Sequence, residues 1–137
     1  MAAAPLYLDT SAVLRAVLES GTTPEVESRI RAAPALITSR LSLVESARAM
    51  LRARSIESIS EQRLADAERE IETMWARCEI WELTRAVCGL AREVAPGRPL
   101  RTLDALHLAT FVLARRRIEG LELLTVDARL AEAAGIV

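Results

Sequence analysis

The sequence predicts an α/β fold with a short, largely parallel sheet, and three observations predict it. Short apolar runs at residues 6–9, 35–38, 79–83 and 121–126 have the length and composition of buried strands. A helix or a helix pair of the length a parallel crossover requires separates each run from the next. The chain has 137 residues, 51% of them hydrophobic, enough for one domain with one core and too apolar for a disordered segment. No repeat, low-complexity tract or internal linker interrupts it, so residues 1–137 are expected to form a single domain.

Each element follows from local chemistry. Leu6, Tyr7 and Leu8 make the first strand, closed by Asp9. From Ser11, Val13, Leu14, Val17 and Leu18 recur at helical spacing until Ser20-Gly21 stops them. Thr23-Pro24 offers a cap and a first-turn proline to a second helix, and Pro34 precedes the second strand. Over residues 39–54 a helix is predicted with Leu41, Val44, Ala47 and Leu51 as its buried stripe and Glu45 within an apolar stretch. Ser58 or Ser60 then caps a helix whose Leu64, Ala67, Ile71, Met74 and Trp75 share a face. After the third strand, Thr84 caps a helix reaching about Val94, and a Pro/Gly-rich loop follows. Thr102 is expected to cap a long helix ending near Arg117, with Gly120 as its stop. The run 121–126 reads as the strongest strand, and Asp127 caps a short last helix ending at Gly135.

Composition removes several chemistries. All 18 basic residues are arginine, so a Walker-type phosphate loop and a Schiff-base mechanism both lack their lysine. A formal net charge of −1 excludes a protein that holds nucleic acid by global charge, and leaves local arginines and metal to do so. Neither a signal peptide nor an apolar run of the length a membrane span needs is present, which predicts a soluble, cytoplasmic protein with no membrane partner. Cys78 and Cys88 have no metal-ligand spacing and are expected to be reduced and packed as small hydrophobes.

The four aspartates are unevenly placed: Asp9 and Asp127 each end an apolar run, and Asp104 opens the long helical pattern. In an open parallel sheet, ligands bind beyond the carboxyl ends of the strands. Taken singly, Asp9 and Asp127 are equally well explained as helix caps and Asp104 as a first-turn acid. If the first and fourth strands are neighbours, Asp9 and Asp127 share an edge where two unpaired carboxylates repel, and a divalent cation resolves the repulsion. Mg²⁺ and Mn²⁺ prefer oxygen ligands and activate water, so convergent acids point to metal-assisted phosphodiester cleavage. Glu45 is a candidate fourth member.

Four segments carry a resemblance: Asp9-Thr10-Ser11, Ser42-Leu43-Val44-Glu45, Leu103-Asp104-Ala105-Leu106-His107-Leu108-Ala109-Thr110, and Leu124-Thr125-Val126-Asp127-Ala128-Arg129-Leu130. In this order and spacing they resemble the acidic motifs of PIN-domain ribonucleases, and more narrowly the VapC-type toxins of bacterial toxin–antitoxin pairs. The resemblance implies a three-layer α/β/α domain and endoribonuclease activity. It also implies a site of Asp9, Glu45, Asp104 and Asp127 binding Mg²⁺ or Mn²⁺, a VapB-like antitoxin partner, and a homodimer. Asp9, Asp104 and Asp127 are then the expected metal ligands, with Glu45 orienting or deprotonating the attacking water. Ser11 and Thr125 are expected to hydrogen-bond those carboxylates or a water between them. Arg98 and Arg101, on the loop leading into Asp104, are the candidates for contacting RNA.

Other features are assigned ordinary roles. His107, the only histidine, lies one turn from Asp104 and is expected to be packed or to support a ligand, since Mg²⁺ favours oxygen. Arg115-Arg116-Arg117 suits a helix C-terminus, and Trp75 and Trp81 suit a core or a dimer interface. Receiver domains and haloacid-dehalogenase-type phosphatases also carry acids on α/β sheets, but both ordinarily need a lysine that is absent here. Two alternatives stay open at this stage: a PIN-like module that binds RNA or protein without cutting, and an RNA-maturation nuclease with no antitoxin.

Overall fold

The computed structural model describes residues 2–56, 58–135 and 137. Strands β1 (Leu6–Leu8), β2 (Leu36–Ser39), β3 (Cys78–Trp81) and β4 (Glu122–Leu124) form a sheet of order β3-β2-β1-β4, parallel throughout. Helices α1 (Thr10–Leu18) and α2 (Pro24–Ala32) connect β1 to β2, and α3 (Arg40–Arg54) and α4 (Glu61–Ala76) connect β2 to β3. Helices α5 (Arg85–Ala91) and α6 (Thr102–Arg115) carry the chain back across the sheet to β4, and α7 (Ala128–Ala134) follows it.

Two cores lie on opposite faces of the sheet, because successive strand side chains point to opposite sides. Leu6 and Leu8 pack with Leu36, Leu124 and the inner faces of α1–α4. Tyr7 and Ile37 pack with Leu108, Phe111, Val112 and Leu130 from α6 and α7. The three-layer α/β/α arrangement follows from handedness. The first two crossovers move along the sheet in one direction and the last moves in the other, so right-handed connections place their helices on opposite faces. The strand order therefore reverses between β1 and β4, which makes the crevice beyond their carboxyl ends the natural ligand position. Register puts Leu8 beside Leu124, so the residues that follow each strand emerge together.

Several expectations are corrected. Helix α3 does not bury Val44, Ala47 and Leu51: all three are exposed, Val44 by 55% and Leu51 by 53%. Its inner face is Leu41, Ser42, Ser46 and Met50. The serines can be inside because they are satisfied. Thr38 Oγ1 gives its proton to the Leu8 carbonyl, so Ser42 Oγ, 2.7 Å away, donates to Thr38 Oγ1, and Ser46 Oγ accepts from Trp75 Nε1 at 3.0 Å. Strand β4 is a three-residue edge strand rather than the strongest one, since it has a single neighbour and its chain turns away after Leu124. Thr102 is the first residue of α6 and Arg101 holds the N-cap position. Cys78 is half-buried, which pushes its thiol up to about 12, with Arg77 opposing the shift; Cys88 is exposed on α5 and not packed inside.

Candidate active site

Asp9 leaves β1 at the reversal of strand order and is only 6% exposed. It occupies the N-cap position of α1, yet its side chain caps nothing. Its Oδ2 instead accepts two short hydrogen bonds, from Ser11 Oγ and from Thr125 Oγ1, both at 2.6 Å. Those hydroxyls are held in turn: Asp127 N donates to Thr125 Oγ1 at 3.0 Å, and Val126 N to Ser11 Oγ at 3.3 Å. A buried carboxylate is tolerable only with such partners. They fix Asp9 from both strands at the switch point and leave Oδ1 facing His107 Nε2 at 3.8 Å.

Asp127 does what a cap residue does. Its Oδ1 accepts from the amides of Arg129 (2.9 Å) and Leu130 (3.4 Å) at the start of α7. Asp104 lies in the first turn of α6 and is partly exposed. Burial raises its pKa, the charges of Asp127 and Asp9 raise it further, and the Arg101 amide and guanidinium oppose the rise. The charges of Asp127 and Asp9 thus reach Asp104, and the three aspartates share one electrostatic neighbourhood.

Glu45 reaches the same region from α3, its side chain 23% exposed. Its Oε1 accepts from Thr10 Oγ1 at 2.7 Å and lies 2.5 Å from His107 Nε2. Burial raises its pKa, but hydrogen bonding and charge from His107 and the Thr10 hydroxyl outweigh that, and the net shift is downward. Glu45 is held as a carboxylate. His107 is buried, and its Nδ1 lies 2.9 Å from the Tyr7 hydroxyl. Tyr7 is itself buried in the centre of the sheet; burial, then the charge of Asp9, drives its pKa well above the ordinary phenol value.

Thr10 and Tyr7 were not singled out from the sequence. Thr10 had a signal, since it sits between Asp9 and Ser11, but the hydroxyl of a helix's first residue ordinarily faces solvent. Tyr7 read only as a strand hydrophobe. On the approach loop, Arg98 is paired with Glu132 of α7 at 2.9 Å, and Arg101 is exposed beside Asp104. Arg115 is committed elsewhere, stacking over Phe111 at 5.0 Å and donating to the Val137 carbonyl at 2.7 Å.

The donor set is all oxygen, and its acids repel, which is the chemistry of a hard divalent cation. Among the described residues, no three His, Cys, Asp or Glu side chains are gathered into a compact cation cluster. One oxygen of Asp9, of Asp127 and of Glu45 is tied to protein donors. Carboxylates spread in this way fit a hard cation only if part of its shell is water.

The PIN-domain family model matches residues 6–136. The chain belongs to the PIN-domain family. Within it, this PIN domain is of the VapC type: it is 34% identical over 110 residues to Ribonuclease VapC45 and, separately, to Ribonuclease VapC49, both of Mycobacterium tuberculosis. Each match covers 77% of this chain and 73% of the relative. The PIN fold is shared with PAE2754 from Pyrobaculum aerophilum, at TM-score 0.65 and 20% identity, covering 96% of this chain and 80% of that one. A toxin–antitoxin complex from Klebsiella pneumoniae matches at TM-score 0.64 and 21% identity, covering 90% and 88% of the two chains. VapBC2 from Rickettsia felis, bound to a DNA fragment from their promoter, matches at 0.61 and 14%, covering 90% and 99%. The last three likenesses, at low identity, speak to the PIN fold alone.

Proposed function

We propose that this PIN domain, formed by residues 1–137 as one unit, is a metal-dependent endoribonuclease and the toxin of a VapBC-type pair. The observation that carries the reading is the placement of Asp9. It is a buried carboxylate at the sheet's switch point, fixed by two hydroxyls yet capping no helix, and its charge is felt by Asp104. A structural role would spend that carboxylate on the α1 amides. The family relationship to two proteins named as ribonucleases supports the substrate class.

Asp9, Asp104 and Asp127 would hold Mg²⁺ or Mn²⁺ directly or through water. When bound, the ion supplies Lewis-acid charge to the scissile phosphate and eases deprotonation of the attacking water. Ser11 and Thr125 orient Asp9 by occupying Oδ2, which leaves Oδ1 for the ligand side. Glu45, kept ionised by Thr10 and His107, orients the attacking water or accepts its proton. Arg101, exposed and adjacent to Asp104, contacts the RNA backbone; Arg98 can join it by exchanging Glu132 for phosphate. A VapB-like antitoxin and a second copy of this chain are the proposed protein partners, and the cytoplasm, where the RNA is, the proposed site of action. Two proteins of the same fold were solved in toxin–antitoxin assemblies, and these are the motive for proposing the antitoxin.

The test is cleavage of total RNA by the purified, antitoxin-free protein with Mg²⁺ or Mn²⁺ and with EDTA, alongside Asp9→Asn. Discrete fragments that require metal, and that drop at least about 100-fold in the folded variant, are expected. Wild-type cutting by Asp9→Asn, or a folded, metal-loaded protein that cuts nothing, would overturn the proposal.

A further inference from the structure

We propose that Tyr7 and His107 form a buried positioning relay that clamps one oxygen of Glu45 and so fixes the orientation of its carboxylate. The inference rests on the nuclease reading above for its consequence, though not for its geometry. A glutamate has several rotatable bonds, and holding it in one conformation costs side-chain freedom that its contacts must offset. Here Oε1 is gripped from two sides, by Thr10 Oγ1 at 2.7 Å and His107 Nε2 at 2.5 Å. The same nitrogen is 3.8 Å from Asp9 Oδ1, outside hydrogen-bond range, so Glu45 and not Asp9 is its partner.

Donor and acceptor rules then fix the Glu45 end of the chain. An ionised carboxylate only accepts, so His107 presents a proton on Nε2. Its Nδ1 lies 2.9 Å from the Tyr7 hydroxyl, which donates to a bare Nδ1 and accepts from a protonated one, so the two stay joined either way. Tyr7 sits in the central strand β1, buried, its ring packed edge-on against Phe111 at 6.0 Å between centroids. His107 is buried as well, and Thr110, one turn further along α6, spends its hydroxyl on the Leu106 carbonyl. The relay therefore runs from an interior strand of the sheet, through α6, to an acid on α3. Three elements far apart in sequence are locked at one carboxylate. Tyr7 and His107 are both buried, and their effect on the site passes through Glu45.

His107 is the only histidine, so ¹⁵N-histidine labelling gives one ring to observe by NMR, with no requirement for activity. A proton on Nε2 in the wild type, lost or exchanging in Glu45→Ala, is expected; an Nε2 without a proton overturns the relay whether or not the protein cuts RNA. In cleavage assays Tyr7→Phe is expected to lower kcat about ten-fold, the worth of one buried hydrogen bond, with KM unchanged. His107→Gln, which can still offer an amide proton near the Nε2 position, is expected to retain more activity than His107→Leu. Equal loss in the two His107 variants, or wild-type kcat in Tyr7→Phe, would overturn the positioning role. Should His107→Leu fail to fold, the near-isosteric Tyr7→Phe and the NMR signal still decide. A wild type that cuts nothing while its Nε2 proton is present would sink the nuclease reading and leave the clamp standing.

Discussion

Replacing Asp104 by Asn swaps one oxygen for an amide group and removes a charge that the site resists. Burial and the charges of Asp127 and Asp9 hold the Asp104 pKa above its ordinary value, against the opposing Arg101 amide and guanidinium. An asparagine oxygen can still accept from the backbone, so the variant keeps that contact and loses the repulsion. It also loses the favourable first-turn charge of α6, worth a few tenths of a kcal/mol. Because Asp104 is largely solvent-screened, the net gain without metal is about 0.3–1 kcal/mol. For a chain of this size that raises Tm by about 1–4 °C. A bound cation reverses the order. At a metal concentration about 100 times its Kd the wild type gains about 2.7 kcal/mol, whereas a ten-fold weaker site gains 0.59 × ln 11, about 1.4 kcal/mol. The difference of about 1.3 kcal/mol exceeds the metal-free advantage. Thermal melts in EDTA and in excess Mn²⁺ should therefore cross, with Asp104→Asn higher in the first and lower in the second. A variant that melts below the wild type in EDTA, or a wild type whose Tm ignores Mn²⁺, would refute the reasoning.

Two further outcomes are expected. Tyr7 holds its proton more tightly folded than unfolded, so above the ordinary phenol value of 10.0 the unfolded chain binds fewer protons and stability falls as pH rises, by up to about 1.4 kcal/mol per pH unit. Tyr7 is the only tyrosine and no lysine titrates alongside it, so the phenolate absorbance should rise together with loss of the fold; phenolate at pH 10 in a folded protein would contradict this. Arg101→Ala should weaken RNA binding and lower the salt slope by about one while leaving Tm unchanged, and an unchanged slope would remove Arg101 from the interface.

The strands and their carboxyl-end acids were legible because both are local. Leu6-Tyr7-Leu8 followed by Asp9, and the apolar run before Asp127, need only a composition rule and a period. The adjacency of β1 and β4 could be posed from the sequence only as a condition, which the register Leu8 beside Leu124 meets. What stayed hidden was long-range. Nothing near Glu45 in sequence announces Thr10, His107 and Tyr7, which lie dozens of residues away and meet only after both crossovers form. The length of β4 was overread because Thr125 is a good strand former locally; in the fold its hydroxyl is committed to Asp9 instead. Cys88 was misplaced because a small apolar residue carries no signal of which side of a short helix it will occupy.

The misread face of α3 bears on function most directly. Successive residues of an α-helix are about 100° apart, so Glu45 lies close to the Ser42–Ser46 face and roughly opposite the direction shared by Val44, Ala47 and Leu51. Burying the apolar stripe would swing Glu45 away from Thr10 and His107. The observed rotation does the reverse: it leaves Val44 and Leu51 about half exposed and forgoes about half of the 1.5–3 kcal/mol that full burial of each would give. Two serines go inward, each with a hydrogen bond to offset its desolvation. Hydrophobic periodicity is a reliable guide where packing alone sets a helix's rotation. On α3 the inward serines and the gripped carboxylate set it together, and the departure from periodicity marks the helix that supplies an acid to the site.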